Sequence, residues 1–236
     1  MIEREAAPGI HRIQNNGTNF YVVEEEGRFT VVDAGLPVSW SSLERAVGDL
    51  GRIEALILTH GHFDHIGIAE RMRRELGVPV HVHDADAELA LRPRSPLRSL
   101  RPAPRALPVV AGFVATRAFW PRAVEDVRRF DGGTLPVPGA PRVVPTPGHT
   151  PGHVAFHFPD RDALVAGDAV VTVDPFTASR GPQLVSTPAP ADAAQALASL
   201  DAIAATGAAT VLTGHGPAWR DGAAALAERA GARSLI

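Results

Sequence analysis

Ala55-Leu56-Ile57-Leu58-Thr59-His60-Gly61-His62-Phe63-Asp64-His65 is the stretch whose reading decides the fold. Residues 55–59 are a continuous apolar run closed by Thr59, the pattern of a strand buried on both faces. Directly behind it, four ligand-type side chains fall within six residues as H-x-H-x-D-H. At this chain's own His and Asp frequencies such a pattern arises by chance on the order of one time in a thousand. Crowding protonatable groups in this way is costly unless a positive charge sits among them, so the pattern points to divalent metal. A loop leaving a strand also lets alternate residues face two directions, toward two ions.

Working outward, three further segments place a ligand-type residue beside glycine, where the backbone can turn tightly at a crowded site. They are Thr146-Pro147-Gly148-His149-Thr150-Pro151-Gly152-His153, Ala166-Gly167-Asp168 and Thr213-Gly214-His215-Gly216. Each alone reads as an ordinary turn. In this order, and together with H-x-H-x-D-H, they single out His60, His62, Asp64, His65, His149, Asp168 and His215 as metal ligands. His153 reads either as a hydrogen-bond partner behind the ligands or as a satisfied core histidine. His81 and His83 share one strand face and read as packing.

The flanking elements alternate. Residues 10–14, 18–24 and 28–34 are β-rich and separated by Asn16-Gly17 and Glu26-Gly27, which predicts an antiparallel meander. A helix is expected over 39–50, capped by Ser41 or Ser42, then strand 55–59, helix 66–76 and strand 79–83. Strands are expected again at 142–145, 153–158 and 163–167, followed by helix 192–205, strand 209–213 and helix 222–230. Two strand-rich halves, each ending in strand and helix, predict two sheets packed face to face with helices outside. No linker divides the chain, so residues 1–236 are expected to form a single domain.

Composition narrows the function. With 45 % hydrophobic residues in 236, the chain can bury a large core. A net charge of −3 gives no overall electrostatic case for nucleic acid or an anionic membrane. The absence of cysteine excludes disulfides, thiolate nucleophiles and cysteine-bound zinc. The acidic start, Met1 to Glu5, lacks the apolar run of a secretory leader, and no stretch has the length of a membrane span. A cytoplasmic protein is expected, with a small-molecule substrate as partner, no nucleic acid and no membrane, and with homodimerisation left open.

The order and local sequence of these motifs resemble the metallo-β-lactamase-fold metallo-hydrolase superfamily over nearly the whole chain, in its glyoxalase II-like seven-ligand subset. That resemblance implies an α/β, four-layer αβ/βα sandwich of two mixed β-sheets with helices on both outer faces. It also implies two zinc ions per chain, with Fe or Mn as alternatives of the same ligand preference. His60, His62 and His149 would hold one ion, Asp64, His65 and His215 the other, and Asp168 would bridge them. Asp33, in Val31-Val32-Asp33-Ala34-Gly35, matches the family aspartate that supports the ligand loop from behind. Asp64 would also orient the attacking hydroxide or pass a proton to the leaving group.

For the substrate, the missing cysteine and leader weigh against an exported β-lactamase. Tyr21, the single tyrosine, does not match the position of the homoserine-lactonase tyrosine. With 21 residues after His215, the glutathione-binding helical extension of glyoxalase II is expected to be missing. A thioester, lactone or other carboxylic ester remains. The alternative class is a mono-iron, persulfide dioxygenase-like oxidoreductase using His60, His149 and Asp168. Residues 92–122 carry Arg92, Arg94, Arg98, Arg101 and Arg105 among prolines, then Phe119 and Trp120. They read either as a lid, with Arg98 and Arg101 meeting an anionic substrate and Phe119 and Trp120 walling the pocket, or as a packing element.

Overall fold

A computed structural model describes residues 1–95, 102–186 and 192–234. In chain order the first sheet comprises β1 (Ile2–Ala7), β2 (Ile10–Asn15), β3 (Thr18–Glu25), β4 (Arg28–Val32), β5 (Ile53–Ile57), β6 (Val80–His83) and β7 (Arg128–Phe130), each paired with its neighbour in that order. β1 to β4 are antiparallel, and β4 to β7 run parallel. The second sheet has the order β13-β10-β9-β8, from β8 (Arg142–Pro145), β9 (Val154–Phe158), β10 (Ala163–Gly167) and β13 (Thr210–Thr213). β11 (Val171–Val173) and β12 (Arg180–Gln183) form a separate two-stranded ribbon. The helices are α1 (Trp40–Val47), α2 (Ala69–Leu76), α3 (Ala87–Leu91), α4 (Leu107–Ala115), α5 (Ala193–Ala205) and α6 (Ala223–Ser234).

Period-two alternation builds the layers. Phe20 and Val22 of β3, Val31 of β4 and Leu56 of β5 face outward into a core shared with α1 and α2. Their neighbours Tyr21, Val23, Val32 and Ile57 face inward and meet Phe156, Phe158, Val165 and Leu212 of the second sheet. On that sheet's far side, Ala155, Leu164 and Val211 pack on Leu200 and Ile203 of α5 and Leu226 of α6. The result is the expected α/β sandwich of two mixed sheets with helices outside. No helix among the described residues is long and apolar enough to cross a membrane.

Three of the boundaries that differ from the sequence expectation bear on the strand ends. α1 is entered through Ser39 rather than Ser41 or Ser42; Ser39 Oγ accepts the Leu36 N–H, and Ser42 is buried inside the helix. α2 begins at Ala69 instead of 66 because the chain before it is held by Ala34 and Gly35. The Ala34 N–H donates to His65 O, and the N–H groups of Gly67 and Ile68 donate to Gly35 O and Ala34 O. β5 ends two residues early, but its extended backbone runs on: Leu58 N–H donates to His81 O, and Thr59 O accepts from Val154 of the other sheet.

The segment after α3 packs over the H-x-H-x-D-H loop. Phe113 of α4 and Phe119 are fully buried against Phe63, with ring centroids 5.7 and 5.3 Å from it, and Leu36 completes the cluster. Each such side chain contributes about 1.5–3 kcal/mol of apolar burial.

Candidate metal centre

The cluster sits where strands end. β4 and β5 run parallel, as do β10 and β13, so the turns after them gather at one edge; β9 runs against β10, so the loop before it arrives there too. These turns carry Asp33, His60 to His65, Asp168 and His215, and the loop before β9 carries His149 and His153. Asn19, Tyr21 and Arg12 staple the His215 turn to the first sheet. Asn19 Nδ2 donates to Thr213 O (2.8 Å) and Gly216 O (2.7 Å), Tyr21 Oη to Thr213 O (2.6 Å), and Arg12 Nη1 to Gly216 O (2.6 Å). Burial pushes the Tyr21 phenol upward, so it stays protonated and can donate to Thr213 O.

All seven residues singled out from the sequence come together. His60–His62–His149, His60–His65–Asp168 and Asp64–His65–His215 each bring ligand-type atoms within 4.8 Å of one another. All are buried except His62, which is partly exposed at the mouth.

The hydrogen bonds explain which ring nitrogen faces inward. Asp33 accepts from the Thr59 N–H (2.8 Å) and from Thr59 Oγ1 (2.9 Å), and its Oδ2 lies 2.9 Å from His65 Nδ1, an arrangement in which the imidazole N–H donates. Thr59 Oγ1, with its proton committed to Asp33, accepts from His60 Nδ1 at 3.0 Å. His215 Nδ1 donates to Gly17 O at 3.1 Å. With each Nδ1 engaged, Nε2 of His60, His65 and His215 remains buried without a hydrogen-bond partner, as does Asp168 Oδ1.

Unpaired buried polar atoms cost about 1–3 kcal/mol each, so four in one place call for a shared partner. The separations fit a cation. His65 Nε2–Asp168 Oδ1 is 3.6 Å, His149 Nε2–Asp168 Oδ2 3.6 Å, His215 Nε2–Asp168 Oδ2 3.3 Å and His215 Nε2–Asp64 Oδ2 3.4 Å. Two nitrogen or oxygen ligands of one tetrahedral ion lie roughly 3.3 Å apart. His62 Nδ1 and His149 Nε2 are closer, 2.8 Å, a hydrogen-bond length.

Electrostatics divide the histidines. Burial, reinforced by neighbouring imidazoles, holds His60 and His149 well below the usual histidine range, leaving them neutral with a lone pair to offer. Burial acts on His65 and His215 in the same sense, but Asp168 and Asp64 overcome it and push His215 up to about 10. The carboxylates thus demand positive charge at this spot, which protons or a divalent cation can supply.

Two further residues hold the ligand turns in place. His153 is buried: its Nδ1 lies 2.8 Å from Thr146 Oγ1, and its Nε2 accepts the backbone N–H of Asp168 at 3.1 Å, fixing that turn. Asp86 escaped the sequence reading. Its buried carboxylate accepts from Gly61 N–H (3.0 Å), Gly152 N–H (2.7 Å) and Thr150 Oγ1 (2.7 Å), tying the H-x-H-x-D-H loop to the His149 loop. The only signal for it was an aspartate just beyond a strand end.

Of the residues assigned to substrate, Arg98 and Arg101 lie outside the described residues. Phe119 is fully buried, so it cannot wall a pocket; it holds Phe63 in place instead. Trp120 is exposed and lines neither cavity described below. His81 is half-buried in β6, and His83 packs on Phe130, both away from the cluster.

A small cavity of about 70 Å³ opens beside His149 and Asp168, walled by Ala169, Leu184, Val185, Ala193 and Ala196. Its apolar wall suits a small acyl or alkyl group.

Comparison with known proteins agrees with this geometry. The family model described as the metallo-beta-lactamase superfamily matches residues 14–215. The probable metallo-hydrolase YflN of Bacillus subtilis is 31 % identical over 234 residues, covering 90 % of this chain and 85 % of its own. Among solved structures, a metallo-beta-lactamase family protein of Thermus thermophilus superposes with a TM-score of 0.70 at 22 % identity, covering 97 % of this chain and 80 % of its own. A second, TTHA1623 in a di-iron-bound form, gives 0.62 at 26 % identity, covering 92 % and 96 %.

Proposed function

Since the chain belongs to the metallo-β-lactamase superfamily, we propose that it is a binuclear metal-dependent hydrolase that opens a small-molecule thioester, lactone or other carboxylic ester. The observation that carries this reading is the set of buried, unpartnered imidazole nitrogens and the Asp168 oxygen facing one another. His60, His62 and His149 would hold one ion and Asp64, His65 and His215 the other, with Asp168 between them. All-histidine and carboxylate ligation favours zinc, with iron or manganese compatible. When bound, such ions supply Lewis acidity, making a water molecule more acidic and stabilising negative charge on a substrate oxygen.

The protein's own residues do the rest. Asp33 fixes the ring orientation of His65 directly and that of His60 through Thr59, and His153 fixes the backbone of Asp168. Asp64 is buried, with Oδ2 also 3.5 Å from Thr18 Oγ1. Its carboxylate orients the attacking water by accepting a hydrogen bond, and relays a proton from that water to the departing oxygen or sulfur. No protein nucleophile is needed, in keeping with a chain without cysteine.

A second reading is a mono-iron oxidoreductase acting on a persulfide through His60, His149 and Asp168; the di-iron form of one structural neighbour supports iron as the metal but not a single ion. The presence of Asp64, His65 and His215 in the same cluster favours the two-ion hydrolase. Another structural neighbour is a subclass B3 metallo-beta-lactamase, but at 18 % identity it speaks for the fold alone.

The experiment is a substrate panel of thioesters, lactones, aryl esters and penicillins presented to metal-loaded protein. Turnover within the ester classes and weak turnover of penicillins is expected. Efficient β-lactam hydrolysis with no ester turnover would reverse the assignment.

A further inference from the structure

A second cavity, about 410 Å³, adjoins the small one: Leu184 and Val185 line both. Its character is different. Arg105, from the segment before α4, and Arg233, from the end of α6, meet there from opposite parts of the chain, together with the hydroxyls of Thr177, Ser179 and Ser186. Among the described residues no carboxylate lines it. Nor, among them, does either arginine have a carboxylate partner.

Both side chains are held without being used up. Arg105 Nε donates to Thr177 O, while Arg233 Nη1 donates to Arg180 O and Nη2 to Ser179 Oγ. A guanidinium has five N–H donors in a rigid fork, so each retains donors for a ligand. The nearby acid, Asp174, is buried, and its carboxylate accepts the N–H groups of Phe176, Thr177 and Ser186; it shapes the cavity wall instead of pairing with the arginines. Two like charges brought to one cavity repel, and an anion between them relieves that repulsion.

We propose that this cavity binds the anionic end of the substrate, a carboxylate or a phosphate, while its ester end passes Leu184 and Val185 to reach the metal cluster. The substrate part of the proposal rests on the hydrolase reading; the anion site itself does not. Arg98 and Arg101, which the sequence reading offers for anion recognition, lie outside the described residues; Arg105 and Arg233 are the arginines that line this cavity.

Two aryl esters of equal length, one ending in a carboxylate and one in a neutral amide, test it against metal-loaded wild type, Arg105→Gln, Arg233→Gln and the double variant. Wild type should prefer the anionic ester. Each Gln variant should raise KM for that ester about tenfold, with kcat unchanged and the neutral ester unaffected, and the difference should shrink at high salt. Arg105→Lys and Arg233→Lys should retain part of the preference. Equal use of both esters by wild type, or equal losses on both in the variants, overturns the proposal and leaves ester hydrolysis standing. If neither ester is cleaved, the hydrolase reading fails by itself, and calorimetry with inorganic phosphate decides this one. Loss of a phosphate site in the double variant supports the cavity, and identical isotherms overturn it.

Discussion

Asp33 Oδ2 lies 2.9 Å from His65 Nδ1, with both side chains buried, and the same carboxylate reaches His60 through Thr59. One aspartate therefore sets the orientation of a histidine from each of the two ligand trios. Asp33 itself sits at φ +62°, a left-handed conformation that Asn tolerates nearly as well. Asp33→Asn should keep the fold and remove the charge, lowering metal affinity about 10–100-fold. Competition against a chelating indicator checks this; unchanged affinity would mean that Asp33 serves the backbone alone.

Asp86→Ala should be damaging in another way. It strands the N–H groups of Gly61 and Gly152 and the Thr150 hydroxyl in a buried place. A loss of about 3 kcal/mol is expected in urea unfolding of the metal-free protein, since each stranded donor costs 1–3 kcal/mol. Stability within about 0.5 kcal/mol of wild type, the size of an ordinary surface substitution, would show that the two loops do not depend on this clamp.

Gly214→Ala tests close approach. An added Cβ would overlap Asp168 Oδ1 and come within 2.9 Å of His65 Cε1. The variant should bind fewer ions per chain while the metal-free protein melts near the wild-type temperature. Full metal occupancy would show that the Asp168 turn can yield.

Phe119→Ala removes a fully buried ring from the cluster beneath Phe63. A loss of about 3–5 kcal/mol is expected, the range for such truncations, with little change in the ranking of substrates. A changed ranking at wild-type stability would return Phe119 to the substrate pocket.

Much of this architecture is legible in the sequence because it rests on short-range patterns. The alternation of Phe20, Tyr21, Val22 and Val23 gives β3 and both of its faces, and β8, β9 and β10 follow from similar runs. The metal cluster is legible because four of its members crowd into six residues. What escapes lacks a local signal. β1, Ile-Glu-Arg-Glu-Ala-Ala, is a polar edge strand, and β12 contains Gly181 and Pro182, both poor strand formers. Asp86 acts on partners 25, 64 and 66 residues away, and the pairing of Arg105 with Arg233 exists only after folding. The basic run at 92–105 marks a cationic segment, but sequence could not tell which arginine reaches a cavity.

The central claim, a hydrolase that needs two ions, is tested most directly by titrating chelator-stripped protein with zinc while following hydrolysis of a reactive thioester and the metal content of each sample. Activity should be absent without metal and rise to a plateau that breaks at two ions per chain. A break at one ion, with activity restored only by iron, or hydrolysis that persists in the stripped protein, would contradict it.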